Sequence, residues 1–338
     1  MEVNRCGDRI NVAFVGHSDK IRSVYSPAAR ERIARLANVV AGVIPGDDIN
    51  ERLKDLESVD IIFSTWGMPN LSVPQLERLP RLKAVFYGAG SVQYFARPLL
   101  ERAIIVVSAW CANALPVAEF TLSQILLSGK GYFRNLREFN GLSSQYHAAF
   151  AGPGNYGETL ALLGAGAVGR ALIEMLRSFH WKVILFDPFV SEEQAAGLGV
   201  EKVTLSEAFE RGLVVSNHLA DKPETEGILN GELFDRLRPG ATFINTGRGR
   251  TVVESELAEV FSRRVDLTAL LDVTHPEPVA PESSIMRMSN VLLTTHIAGS
   301  MGNELGRLAD TCISEFERYL RGEPLQYSVT IDALAMLT

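Results

Sequence analysis

Short apolar runs rich in β-branched residues recur along this chain, separated by stretches of helical period. In the first half, residues 12–16, 39–44, 60–64, 82–87 and 104–107 read as strands. Between them 28–36, 49–56 and 74–79 read as amphipathic helices, the last opening on Pro74, a residue suited to a first helical position. The second half repeats the theme with strands at 159–163, 182–186, 213–216, 242–245, 267–271 and 291–294. Runs that stay apolar without alternating are buried on both faces, as in parallel sheets covered by helices. Two successive series of this size predict an α/β protein of two doubly wound parallel-sheet domains rather than one very wide sheet.

The joins carry further information. Residues 117–127 form a continuous apolar helix pattern, too hydrophobic for a surface linker, which reads as a core or inter-domain helix. Residues 128–157, with the turn Gly152-Pro153-Gly154, show no strong periodicity and read as an excursion before the second sheet. Near the far end Leu305, Leu308, Ile313, Phe316 and Leu320 make a helical stripe that stops at Gly322 and Pro324. Such a helix can return to the first domain, which would make that domain discontinuous.

Composition narrows the function classes. A length of 338 residues suits two domains and needs no disulfide or metal staple. Forty acidic against 33 basic side chains give a net charge of −7, against the basic excess that a nucleic-acid or anionic-membrane binder needs. Cys6, Cys111 and Cys312 are too scattered for a disulfide framework or a metal site and read as free thiols of a reducing compartment. No targeting segment is evident, and the densest apolar run, 103–112, is far short of the roughly 18 residues of a membrane span. A cytoplasmic protein is expected.

The pattern GxGxxG occurs twice. With Gly at 28 of 338 positions, chance supplies a match in about one chain of five, so context decides. Gly152 to Gly157 has no strand before it and one after it, and reads as a loop. Gly164-Ala165-Gly166-Ala167-Val168-Gly169 follows the strand 159–163 and opens a helix with Val168, Leu172, Leu176 and Phe179 on one face. In that setting Gly164 makes a tight turn, Gly166 lets backbone approach a pyrophosphate and Gly169 lets helix and strand pack closely. Asp187, at the end of the next strand, suits the adenosine ribose hydroxyls. With no Arg or Lys in Asp187-Pro188-Phe189, NAD is expected over NADP.

Three later loops sit where open α/β sheets bind ligands, after the carboxyl ends of strands. They are Asn245-Thr246-Gly247-Arg248-Gly249, Leu271-Asp272-Val273-Thr274-His275-Pro276-Glu277-Pro278 and Thr294-Thr295-His296-Ile297-Ala298-Gly299-Ser300. Singly, Arg248 also fits an exposed turn, Glu277 a solvated loop acid and His296 a satisfied cap.

In order and spacing, GAGAVG, Asp187, NTGRG, LDVTHPEP and TTHIAGS resemble the D-isomer-specific 2-hydroxyacid dehydrogenases, from about residue 82 to 321. The resemblance implies a flavodoxin-like substrate domain at 1–112 and 302–338, a Rossmann NAD domain at 113–301, and an active site in the cleft between them. It makes Arg248, Glu277 and His296 catalytic. Gly164, Gly166, Ala167, Val168, Gly169, Asp187, His218, Thr246, Gly247, Asp272 and Ala298 then bind NAD, with Asp272 on the nicotinamide amide. Ala89 and Gly90, together with Arg248 and His296, take the substrate carboxylate and carbonyl. No metal is implied, and a homodimer through the cofactor domain is. Reduction of a small 2-oxo acid to a D-2-hydroxy acid needs a hydride and a proton. His296 suits the proton, since histidine titrates near neutrality, Glu277 suits its orientation, and Arg248 offers a planar fork to a carboxylate.

Departures from the family pattern lie at Ser91 and Val92 in the substrate loop, Thr295 before the histidine and Ala220 after His218. They bear on substrate shape. Residues 64–68 hold no cation, which argues against a phosphorylated substrate. His275 reads as a loop side chain; Trp110 and Cys111 read as core or hinge; His17, His147 and His180 read as structural or exposed. Other readings are formate oxidation, a non-catalytic NAD-sensing dimeric binding protein of the same family, and a methyltransferase, which leaves Arg248, Glu277 and His296 without a use.

Overall fold

The computed structural model describes residues 9–139 and 149–334, so Cys6 and His147 lie outside the described residues. The chain divides into two compact units. One takes the chain up to Ala114 and again from Ser300; the other runs from Leu115 to Gly299.

The first unit is built on β1 (Asn11–Val15), β2 (Asn38–Ile44), β3 (Ile61–Ser64), β4 (Ala84–Tyr87) and β5 (Ile105–Ser108). These strands are parallel, in the order β5-β4-β3-β1-β2, the flavodoxin-like arrangement. Alternate residues of the central strands feed two cores: Ala13, Val15, Ile62, Val85 and Val106 on one face, Val12, Phe14, Phe63, Phe86 and Val107 on the other. β2 lies at the edge, and its Val39 and Val40 are exposed rather than buried as the apolar run implied. Phe316 of the helix Leu305–Arg321 meets the rings of Phe63 and Phe86 at 5.3 and 5.7 Å. The helix stops at Gly322, whose φ of 68° only glycine adopts readily.

The second unit holds β6 (Thr159–Leu163), β7 (Lys182–Phe186), β8 (Glu201–Lys202), β9 (Val214–Asn217), β10 (Thr242–Asn245), β11 (Thr268–Leu271) and β12 (Val291–Leu293). All are parallel, in the order β12-β11-β10-β9-β6-β7-β8. This is the Rossmann order, and the direction of winding reverses between β6 and β9, where such sheets bind dinucleotides. The apolar helix Trp110–Gly129 carries Ala118 and Ile125 in this unit's core. The excursion before β6 contains a helix, Tyr132–Glu138, that the sequence pattern does not predict; it buries none of its residues, so it has no apolar stripe to read. Phe179 leaves the predicted face, because the helix Ala167–Leu176 ends before it and the ring is exposed.

β13 (Ser328–Val329) closes the first sheet, antiparallel to β5. At two residues it is too short to give a pattern. A buried acid holds it there: Glu315 accepts the backbone N–H groups of Gln326 and Tyr327 at 2.8 and 3.0 Å. Removing that acceptor by Glu315→Ala leaves two donors unsatisfied and is expected to lower stability by about 2 kcal/mol or more. Glu315→Gln, which keeps an oxygen there, loses less. Urea midpoints that rank the two variants the other way contradict this anchoring role.

Candidate functional site

The glycine turn follows β6 directly. Gly164 has a φ of 98°, and a Cβ on Gly169 would lie 2.2 Å from the Gly164 carbonyl oxygen, so only glycine lets this helix start so close to the strand. Above Gly166 there is open space, with nothing within 4 Å of a Cβ built there. The first N–H bonded within the helix is that of Arg170, donated to Gly166 at 3.0 Å. The N–H groups of Ala167, Val168 and Gly169 are therefore left for an anion, at the positive end of a ten-residue helix. Asp187 braces the turn, its two carboxylate oxygens accepting Ala165 N–H and Phe189 N–H, each at 2.7 Å. Free donors, open backbone and a ribose-side acid together fit a dinucleotide. Gly152 to Gly157, by contrast, is a loop running into β6.

Past β10, Arg248 is held through its carbonyl, which accepts from Asn245 Nδ2 at 3.1 Å and Thr251 Oγ1 at 2.8 Å. Its guanidinium donates to Gly247 O at 2.8 Å and, among the described residues, forms no ion pair. Burial pulls its pKa below the ordinary arginine value, with Asp221 and Glu277 pulling the other way. A half-buried cation without a carboxylate partner is a natural place for an anion to bind. Next to it, a Cβ on Gly249 would lie 2.1 Å from the Thr274 carbonyl, so this glycine lets the loops after β10 and β11 close on each other.

Glu277 and His296 are in direct contact, Oε1 to Nδ1 at 2.6 Å, both about half exposed. His296 has a φ of 56°, a left-handed conformation that costs a non-glycine residue of order 1–3 kcal/mol. Asp272 is what over-determines it. Its backbone carbonyl accepts His296 N–H at 3.0 Å, and its buried carboxylate accepts Thr294 Oγ1 at 2.6 Å, Ile297 N–H at 2.8 Å and Ala298 N–H at 2.9 Å. The spacing of LDVTHPEP gave no sign of this bracing role, which appears only when the ends of β11 and β12 lie side by side. Arg248 makes no hydrogen bond to either Glu277 or His296. His275 is an exposed loop residue.

Beneath these loops runs a polar chain. His218 pairs Nε2 with Ser216 Oγ at 2.9 Å and Nδ1 with Thr246 Oγ1 at 3.4 Å, and Thr246 Oγ1 meets Thr121 Oγ1 at 2.9 Å. Thr121 belongs to the apolar helix Trp110–Gly129, where one hydroxyl in a hydrophobic run gave no signal. Gly247 N–H is held by Asn245 Oδ1 at 3.1 Å. In the first unit, the N–H groups of Ala89 and Gly90 have no partner among the described residues, while both carbonyls accept from Ser108 Oγ. Among the described residues no group of three or more His, Cys, Asp or Glu side chains is placed to hold a metal, and no helix is long and apolar enough to cross a membrane.

Burial pushes the His218 pKa down to about 4. The folded chain therefore holds this ring neutral where an unfolded histidine, near 6.5, takes up a proton. Stability from this residue is present above about pH 6.5 and is lost as pH falls toward 4. Between pH 7 and 5 the loss amounts to about 2 kcal/mol. His218→Gln is expected to lose correspondingly less than the wild type over that interval in urea titrations; parallel losses contradict it.

A family model described as D-isomer specific 2-hydroxyacid dehydrogenase, NAD binding domain, matches residues 130–298. D-3-phosphoglycerate dehydrogenase of Mycobacterium bovis is 30% identical over 293 residues, 85% of this chain and 54% of that protein. The namesake enzyme of Methanocaldococcus jannaschii is 27% identical over 84% of this chain and 53% of its own length. This chain thus spans about half the length of these curated relatives. Among solved structures, apo D-mandelate dehydrogenase of Rhodotorula graminis has a TM-score of 0.79 at 19% identity, covering 95% of this chain and 97% of that one. An acyclic imino acid reductase solved with NADPH and D-Arg has a TM-score of 0.74 at 22% identity, covering 95% and 100%. With the matched segment reaching from Lys130, ahead of the glycine turn, to Ala298, just past the histidine, this chain belongs to the D-isomer-specific 2-hydroxyacid dehydrogenase family.

Proposed function

We propose that this protein is an NAD-dependent oxidoreductase that moves a hydride between the nicotinamide and the 2-carbon of a small, unphosphorylated D-2-hydroxy acid or its 2-oxo partner. The observation that carries this reading is the Glu277–His296 pair at 2.6 Å, on loops of the same sheet as a half-buried Arg248 that forms no ion pair among the described residues.

The glycine turn would hold the pyrophosphate on the N–H groups of Ala167, Val168 and Gly169, with Asp187 toward the ribose and Asp272 and Ala298 toward the nicotinamide end. Asp187, with no cation in 187–189, supports NAD over NADP. The bound nicotinamide supplies or accepts the hydride. This chain's own residues do the rest. Glu277 occupies Nδ1 of His296 and fixes the ring, which leaves Nε2 to give its proton to the carbonyl oxygen on reduction and to take it back on oxidation. Arg248 presents a planar fork to the substrate carboxylate, which relieves the cost of its own burial. In the first unit, the N–H groups of Ala89 and Gly90, without partners among the described residues, suit a carboxylate. A nucleotide sensor without turnover has no use for an unpaired arginine and an oriented histidine.

In the loop 64–68, Thr65 is turned inward onto Gly88 O at 2.8 Å and Met68 is buried, so no cation there supports a phosphate. The exposed Tyr132, Leu136 and Val265 of the second unit support a homodimer built on that unit, and a cytoplasmic location agrees with the free thiols of Cys111 and Cys312.

His296→Ala is expected to cut reduction by about 100-fold or more while NADH still binds; unchanged turnover contradicts the assignment. Arg248→Lys is expected to raise KM and lower kcat, because one ammonium cannot replace the fork; wild-type kinetics would remove Arg248 from the site. The deciding assay follows NADH oxidation with glyoxylate, hydroxypyruvate, pyruvate, phenylpyruvate and longer 2-oxo acids, each beside a phosphorylated 2-oxo acid. Activity confined to the phosphorylated compound, or to none, overturns the proposal.

A further inference from the structure

We propose that a second copy of this chain pairs antiparallel with the outer edge of β2, so that the first units of the two copies share one continuous sheet. The two sheets of the chain have four edges. Three of them are short: β13 has two residues, β8 has two, both charged, and β12 has three. The fourth is β2, seven residues from Asn38 to Ile44 without a charge or a proline. Among the described residues no strand pairs with its outer side. A strand edge is a row of N–H and C=O groups that templates another strand, and proteins blunt it with short length, charge or proline. β8, β12 and β13 are blunted by length, and β2 is not.

The residues of β2 suit a close neighbour. Val39 and Val40 are both exposed, an apolar pair left at the edge. Against β1, Val12 faces Val39 and Phe14 faces Val43, so Val40, Ala41 and Gly42 stand opposite the single Ala13. Such a bulge leaves backbone groups outside the ladder. A bulge can also turn an edge away from a partner. This one carries a glycine with nothing within 4 Å of a Cβ built on it, which leaves room for another backbone to approach.

Charge selects the occupant. At the start of β2, Arg9 donates to the Arg35 carbonyl at 2.6 Å, which leaves its charge unneutralised, while Arg35 pairs with Glu31. That corner is net positive. Just past the end of β2, Asp47 and Asp48 are exposed and form no ion pair among the described residues. Arg35 lies three residues before Asn38, and Asp47 three residues after Ile44. Two copies of β2 running antiparallel about their midpoint, Ala41, therefore set the basic corner of each against the acidic end of the other. A parallel partner strand would set like charge on like. A second copy thus complements the edge at both ends, in the two-fold arrangement of an isologous dimer. At about 3.3 Å per residue the strand contact is about 23 Å long, small beside a standard interface, so the association is weak and concentration-dependent.

The test is sedimentation velocity on the full chain over about 1–100 μM, with hydrogen exchange on the same samples. Arg9→Glu with Arg35→Glu makes both ends of the edge acidic, and Asp47→Arg with Asp48→Arg makes both basic. At the top of the range the wild type is expected to reach twice the mass of either double variant, and its amides in 38–44 to exchange more slowly than at the bottom. Each double variant alone is expected to associate roughly tenfold or more weakly than the wild type. An equimolar mixture of the two is expected to recover the association, because their charges then complement each other at both ends; recovery also shows that both variants are folded. A wild type no heavier than the variants overturns the proposal, as does a mixture that associates no better than its parts. Association that slows exchange elsewhere but not at 38–44 places the contact on another surface and overturns it too.

Discussion

A carboxylate enclosed by protein is tolerated only where hydrogen bonds replace the water it has lost, and Asp272 meets that condition completely. Thr294, Ile297 and Ala298 donate to its two oxygens, and its own carbonyl takes the His296 N–H. Those four bonds tie the end of β11 to the turn after β12 and hold His296 in a left-handed conformation it would not keep alone. The direction of the imidazole, its contact with Glu277 and the freedom of Nε2 all follow from that one anchored turn. A turn built this way is fixed before any ligand arrives, the preorganisation that a functional site requires.

Charge is distributed with the same economy. A chain at −7 has to concentrate positive potential locally wherever it meets an anion. It does so at the open N–H donors of the helix Ala167–Leu176 and at the guanidinium of Arg248, which forms no ion pair among the described residues. Most other arginines are paired with carboxylates on the surface, as Arg211 is with Glu201 and Arg263 with Asp235. His218 shows the opposite choice, a histidine kept neutral by burial so that it packs and hydrogen-bonds without adding charge.

Where burial and backbone geometry restrict the residue type, the sequence was legible. β6, β7 and β10 fall where their apolar runs place them, because a strand covered on both faces has no polar positions to blur its ends. Gly164 and Gly169 are legible because no other residue fits a positive φ at the one and a 2.2 Å approach at the other. β8 and β13 are two residues each and give no period to read. The helix Tyr132–Glu138 buries nothing, and Phe179 looked like part of a stripe only because the end of its helix was not visible.

The sequence by itself determined the class of fold and the glycine turn and singled out Glu277, Arg248 and His296 as candidates, since each depends on local chemistry or spacing within one loop. Only the tertiary structure decided how those groups are held. The pairing of Glu277 with His296, the role of Asp272 and the hydroxyl of Thr121 behind His218 all join residues far apart in the chain. The physical reason is that a hydrogen bond or a cation–aromatic contact depends on distances of a few ångströms. Across separate elements, those distances are set by sheet order and packing rather than by position in the chain.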